Sequence, residues 1–171
     1  MALALLIGGA RSGKSRLAVD LAAREAKPVV VIATGEARDE EMAARIEQHR
    51  SQRPPGWTTI EEPVDLEEAL QAAPAEAVVI VDCLTLWVSN LIEHEMEIVD
   101  VARRAAENAA KRGEVVVAVT NEVGSGVVPE NPLGRRYRDA LGDVNATWAS
   151  CAQQTLLVVA GKVLPLQDGS A

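Results

Sequence analysis

The 171-residue chain contains no phenylalanine, and aromatic side chains make up only 2% of it. Any core must therefore be packed from Val, Leu, Ile and Ala. Cysteine is almost as scarce. Cys83 and Cys151 are too few and too far apart for a disulfide framework or a metal-binding spacing, and are read as buried thiols of a reducing compartment. Positive charge is short as well: 17 Lys and Arg stand against 25 Asp and Glu, for a net charge of -8. That balance excludes a nucleic-acid binder acting through a broad basic face, because phosphate neutralisation needs clustered cations. It does not exclude a nucleotide site, which needs only local positive charge. The opening "MALALLIGGARSGK" has no charge ahead of its apolar run and meets Gly and Arg too soon for a signal peptide or a membrane span. The expectation is a soluble, cytoplasmic protein with no membrane span and no nucleic-acid partner.

What is present is a composition that is 48% hydrophobic, enough for one compact domain spanning residues 1–171. Apolar runs rich in β-branched residues recur at Leu3 to Ile7, Val29 to Ala33, Val78 to Val81, Val115 to Val119 and Leu156 to Val159. Helical spacing fills the gaps between them, and this alternation predicts an α/β fold with a mostly parallel sheet covered on both faces. Helices are expected over Lys14 to Ala26, over Asp39 to Gln52, and from Leu133, where Tyr137, Leu141, Val144, Trp148 and Cys151 trace one apolar face. The stretch from Leu84 to Arg112 reads helical with charged interruptions. Thr58 to Ile60 reads as a short strand or an extended loop, and residues from about 163 to 171 as a loose tail.

"GGARSGKS", from Gly8 through Gly9, Ala10, Arg11, Ser12, Gly13 and Lys14 to Ser15, matches G-x-x-x-x-G-K-[ST] between an expected strand and an expected helix. Such a loop wraps phosphates with backbone N–H groups. Lys14 reaches the β and γ phosphates and Ser15 offers its hydroxyl to Mg²⁺. The acidic partner expected at the end of another buried strand is Asp82, in "VVIVD". A regulatory GTPase is disfavoured because neither N-K-x-D nor D-x-x-G is found where it should be. A hydrolytic motor is disfavoured because Cys83 stands where a water-orienting Glu would follow Asp82. A phosphoryl or nucleotidyl transferase acting on a small molecule suits the chain better.

In "EEMAARIEQHRSQRPPGW", Met42, Ile46 and His49 share one helix face, flanked by Arg50 and Arg53. His49 has two readings: an imidazolium resting on the helix C-terminus, or a nucleophile whose neutral ring attacks phosphorus while the arginines offset phosphate charge. Spacing alone leaves both open. So do two other functional readings, a single-activity P-loop kinase with a structural His49 and a nucleotide-dependent switch protein. His94 is expected to be solvent-exposed.

The phosphate loop, "VVIATGEARDEEMAARIEQHRSQRPPGWTTIEEP", "VVIVDCLTLWVSNL" and "VTNEVGSGVVPENPLGRRYRDALGDVNATWA" together resemble the bifunctional adenosylcobinamide kinase / adenosylcobinamide-phosphate guanylyltransferase family, over about residues 3 to 162. The resemblance implies a RecA-like P-loop fold, a homotrimer, ATP and GTP as co-substrates with Mg²⁺, and adenosylcobinamide and its phosphate as acceptors. It also implies catalytic roles for Lys14 and for His49 as the guanylylated residue. Metal would be held by Ser15 and Asp82. Nucleotide contacts would fall on Gly8 to Ser15, on Ala33, Thr34 and Gly35, on Arg50, Ser51, Gln52 and Arg53, and on Glu61 and Asp82. Gln48 stands where family members often carry a second histidine.

Overall fold

The computed structural model describes residues 3–51 and 53–169; Gln52, named above as a nucleotide contact, lies outside them. Seven strands form one sheet in the order β3-β2-β4-β5-β1-β6-β7. They are β1 (Leu3–Gly8), β2 (Val29–Ala33), β3 (Thr58–Glu61), β4 (Val78–Asp82), β5 (Val116–Asn121), β6 (Gln154–Val159) and β7 (Lys162–Leu166). All neighbours pair in parallel except β6 and β7, which form an antiparallel hairpin. The expected parallel α/β architecture is thus present, and the ambiguous segment at Thr58 is an edge strand.

The helices are α1 (Lys14–Arg24), α2 (Glu40–Ser51), α3 (Leu66–Ala72), α4 (Leu84–Glu93), α5 (Ile98–Lys111) and α6 (Pro132–Cys151). Fully buried Val, Leu and Ile in the central strands account for the unbroken apolar runs, because both sheet faces are covered. One face packs against α3, α4, α5 and α6 through a core that includes Trp87, Leu91, Ala105, Leu141 and Trp148. The other is covered by α1 through Ala18 and Ala22, against Val31, Ile80, Val117 and Val119. The ambiguous region after Leu84 is two helices, separated at Glu95, which takes a left-handed φ of 52°. Helix α3 had no expectation attached to it; Asp65 caps it by accepting from the Glu68 N–H at 2.9 Å. Cys83 and Cys151 are free thiols, each partly buried. Among the described residues no helix is long and apolar enough to cross a membrane.

The expected loose tail is corrected in part, since residues 162–166 are a strand. Ala160 and Gly161, with φ of 50° and 73°, make a two-residue turn that folds β7 back on β6. Alanine in the first turn position masked the signal, because this turn type is usually announced by Asn-Gly.

Arg112 joins the end of α5 to the end of α3. Its guanidinium donates to the carbonyls of Leu70 and Pro74, each at 2.7 Å, and to those of Ala73 and Ala77, each at 3.3 Å. These are carbonyls of the last turn of α3 and the chain beyond it, to which a cation is well suited. Replacing Arg112 by Ala is expected to cost about 2 kcal/mol. The thermal midpoint followed by circular dichroism should fall by about 4–8 °C, and Arg112→Lys should lose less.

Candidate active site

The chemistry-bearing residues collect at the C-terminal ends of the parallel strands, where the connections from β1 and β5 diverge to opposite sides of the sheet, as in other open α/β sheets. Strand β1 ends at Gly8, and the chain reaches Lys14, the first residue of α1, through a loop with left-handed φ at Arg11 (55°) and Gly13 (104°). Gly13 occupies the N-cap position without a side-chain bond, so the first N–H groups of α1 meet the loop rather than a capping oxygen. The Lys14 side chain folds back over this loop. Its ammonium donates to Gly9 O at 2.7 Å and to Ser12 Oγ at 3.4 Å, and the residue is 7% exposed. Burial pulls the Lys14 pKa below the usual lysine value, partly opposed by Cys83 and Asp82.

The β6–β7 hairpin braces this loop. The Gly161 N–H donates to Ser12 O at 2.8 Å. A Cβ on Gly8 would lie 2.2 Å from the Val158 carbonyl oxygen and 3.1 Å from Ser12 Oγ. The alanine methyl has no room between β1 and β6. Gly8→Ala is expected to destabilise the fold by about 2–3 kcal/mol and to weaken nucleotide binding, as measured by thermal unfolding with and without GTP.

Beside the loop lies a cleft of about 260 Å³. Its floor is apolar, formed by Val31, Ile80 and Val119 of the sheet and Ala18 and Val19 of α1. Ser15 and Arg16 also line it, as do His49, Arg53, Trp57 and Asp82. Asp39 starts α2 by accepting from the Met42 N–H at 2.7 Å. Helix α2 buries none of its residues; Met42 and Ile46 are half-buried, and Ile46 reaches toward the open side of Gly35. His49 is therefore not sealed in the core. Its side chain is 52% exposed, with Nδ1 4.0 Å from Asp82 Oδ2.

Arg53 approaches the same Asp82 oxygen at 3.8 Å and donates to Thr59 Oγ1 at 2.8 Å. Burial draws its pKa below the ordinary arginine value, opposed mainly by Asp82. Arg50 lies 3.3 Å from Glu61 at the outer rim. The Ser51 hydroxyl donates to Gln48 O, within its own helix. Ser15 and Asp82 line one cleft, so a hydroxyl and a carboxylate, both oxygen donors of the kind a hard divalent cation takes, face the same space.

Thr34, expected among the nucleotide contacts, engages the end of the strand next to it with its side chain. It is fully buried; its hydroxyl donates to Cys83 O at 2.7 Å and accepts from Cys83 N–H at 3.0 Å. It holds the chain immediately after Asp82, across a cis Asp82–Cys83 peptide. Ala33 and Gly35 flank it at the end of β2. Arg16, Trp57 and Asn90 join the site or its surroundings without a motif in the sequence that marks them. Trp57 follows Pro54-Pro55-Gly56, a turn signal that could have pointed to it, whereas Asn90 inside α4 has no local signal at all. His94 is exposed, as expected, with Nε2 3.5 Å from Glu36.

Comparison with known proteins agrees with this architecture. The family described as cobinamide kinase / cobinamide phosphate guanyltransferase matches residues 4–166. The bifunctional adenosylcobalamin biosynthesis protein CobP of Pseudomonas aeruginosa is 43% identical over 168 residues, covering 95% of this chain and 96% of that one. The bifunctional adenosylcobalamin biosynthesis protein CobU of Escherichia coli K12 is 42% identical over 174 residues, covering 92% and 95%. Among solved structures, a Pyrococcus horikoshii OT3 protein superimposes with a TM-score of 0.56 at 11% identity, covering 96% of this chain and 85% of its own. The RadB recombinase does so with a TM-score of 0.50 at 16% identity, covering 91% and 73%. These structural likenesses bear on the fold, which is that of P-loop NTPases. The sequence matches, spanning nearly the whole chain, carry more: this protein belongs to the cobinamide kinase / cobinamide phosphate guanyltransferase family.

Proposed function

We propose that the chain performs both reactions of its family, and that the second proceeds through guanylylated His49. In the first, the γ-phosphoryl group of a nucleoside triphosphate passes to the hydroxyl of adenosylcobinamide. The loop from Gly8 to Ser15 cradles the phosphates, and Lys14 exchanges its bonds to Gly9 and Ser12 for phosphate oxygens, which are stronger acceptors for a buried cation. Ser15 and Asp82 are the residues that would hold Mg²⁺, which supplies charge neutralisation on the transferring phosphates.

In the second reaction the neutral imidazole of His49 attacks the α-phosphorus of GTP. A P–N bond forms, the bond from the α-phosphorus to its bridging oxygen breaks, and pyrophosphate leaves. A phosphate oxygen of the phosphorylated acceptor then attacks the same phosphorus, releasing His49 and forming adenosylcobinamide-GDP. Arg53, and Arg50 nearer solvent, offset charge on the phosphates, while Asp82 faces Nδ1 and orients the ring. The remaining expected contacts, Ala33, Thr34, Gly35, Ser51, Gln52 and Glu61, belong to nucleotide binding in this reading. The exposed valines and leucines of β7 and of residues 123–133 fit burial between subunits of a homotrimer.

The observation that carries the proposal is the half-exposed imidazole of His49 lining one cleft with Ser15, Arg53 and Asp82. It is tested by incubating the protein with α-labelled GTP. The expected result is a protein-bound label that is acid-labile and alkali-stable, formed with release of pyrophosphate. A protein that phosphorylates the acceptor but never takes up label would be a single-activity kinase, and the proposal would fail.

A further inference from the structure

Asn90 lies on α4, away from the cleft residues, and is 3% exposed. Its amide nitrogen donates to Thr34 O at 2.7 Å and to Pro63 O at 2.9 Å, and its Oδ1 accepts from Arg38 Nη2 at 2.8 Å. Thr34 is where the chain leaves β2, and Pro63 is where it comes off β3. The chain between them, including α2 and His49, leaves the sheet after β2 and rejoins it at its edge as β3. To the β2–β3 pairing and the Glu62 N–H bond to Ala33 O, the buried Asn90 amide adds a side-chain tie between its exit and its return. Arg38 also pairs with Glu93 on α4 and with Glu36 in its own loop, so the residue before Asp39 is held onto α4 at both Asn90 and Glu93.

Helix α2, one residue beyond Asp39, buries no side chain of its own. The position of His49 is therefore set from both ends of the helix, by Arg53, bonded to Thr59 beside Asp82, at one end and by Arg38 at the other. Thr34, whose carbonyl Asn90 holds, also grips the Cys83 peptide and with it the end of β4 that carries Asp82. Beside the short link through Arg53, the spacing between the imidazole and the carboxylate thus runs through a second network: His49 on α2, Arg38 at the foot of α2, Asn90, Thr34, Cys83 and Asp82.

We infer that Asn90 and Arg38 are positioning residues for the guanylyl-transfer step. They fix the foot of the arm that carries His49 relative to Asp82 and touch neither nucleotide nor acceptor. The inference rests on the reading of His49 as the guanylylated residue, and its physical content is that misplacing a nucleophile by about 1 Å costs up to about 100-fold in rate.

Arg38→Ala is the informative variant, because Arg38 is partly exposed and its loss leaves the core intact. In single-turnover labelling with α-labelled GTP, Arg38→Ala and Asn90→Ala should both guanylylate His49 about 10- to 100-fold more slowly than wild type. Arg38→Lys should recover part of the loss. Phosphorylation of the acceptor by ATP should stay near wild type in Arg38→Ala. Amide hydrogens of residues 40–51 should exchange faster in Arg38→Ala without nucleotide, while those of α4 are unchanged. Labelling at the wild-type rate in both variants, or a parallel fall of both reactions accompanied by a lower thermal midpoint, would overturn the inference in favour of a purely structural bridge. A wild-type protein that takes no label would defeat the guanylylation reading alone, and the exchange comparison would still decide whether Arg38 anchors the arm.

Discussion

His49→Ala is expected to accumulate no protein-bound guanylate from α-labelled GTP and to lose guanylyl transfer by at least about 10³-fold, or about 4 kcal/mol of transition-state stabilisation. Phosphorylation of the acceptor should persist, because the phosphate loop, Lys14 and the pair of Ser15 and Asp82 are untouched. The contrast between the two reactions is the informative part. A variant that merely unfolds loses both, whereas His49 is half-exposed on a helix with no buried residue, so its replacement should move stability by less than about 0.5 kcal/mol. The two readings left open by spacing alone separate here. If His49 only rested on the end of α2, the alanine variant would still take label, on some other group.

Lys14→Met has the opposite profile: it should lose both reactions, each by about 10²- to 10³-fold. Its thermal stability should stay equal to that of wild type or rise slightly. The reason is the burial of the ammonium, whose partners are one loop carbonyl and one hydroxyl rather than a carboxylate. An apolar side chain of similar length fills the same space without the desolvation cost of a charge. The pH dependence supplies a second check. Because the Lys14 pKa is lowered on folding, the folded chain gives up this proton before the unfolded chain does. Wild-type stability therefore gains from Lys14 as pH is raised toward the ordinary lysine value, and the Lys14→Met variant lacks that contribution. Unfolding midpoints measured across the alkaline range, in both proteins without nucleotide, read this directly. A variant that retained either reaction at wild-type rate would remove Lys14 from the phosphate site.

Much of this site could be read along the chain. Gly8 to Ser15 announces itself because a phosphate loop is built from consecutive backbone groups, and Asp82 because a buried apolar strand that ends in a carboxylate is a local pattern. The helix carrying His49 was legible to within one residue at each end, Glu40–Ser51 against an expected Asp39 to Gln52, because its capping Asp39 and its terminating Pro54-Pro55 are neighbours in sequence. The short helix α3 escaped notice, being only seven residues long. The β6–β7 hairpin escaped because its turn uses Ala160 where asparagine or glycine would have flagged it.

By itself, then, the sequence determined a parallel α/β chain with a phosphate loop, a strand-end carboxylate and a histidine at the end of an amphipathic helix; each rests on residues within a few positions of one another. Only the tertiary structure decided that Thr34 grips Cys83, that a hairpin turn at Gly161 braces Ser12, and that Asn90 joins Thr34, Pro63 and Arg38. Those contacts link residues between 27 and 149 positions apart by subtraction of their numbers, from Pro63 to Asn90 and from Ser12 to Gly161. A hydrogen bond across such a separation needs only one donor and one acceptor, which backbone and polar side chains supply throughout the chain, so it leaves no periodicity or spacing to read until the sheet brings the partners together.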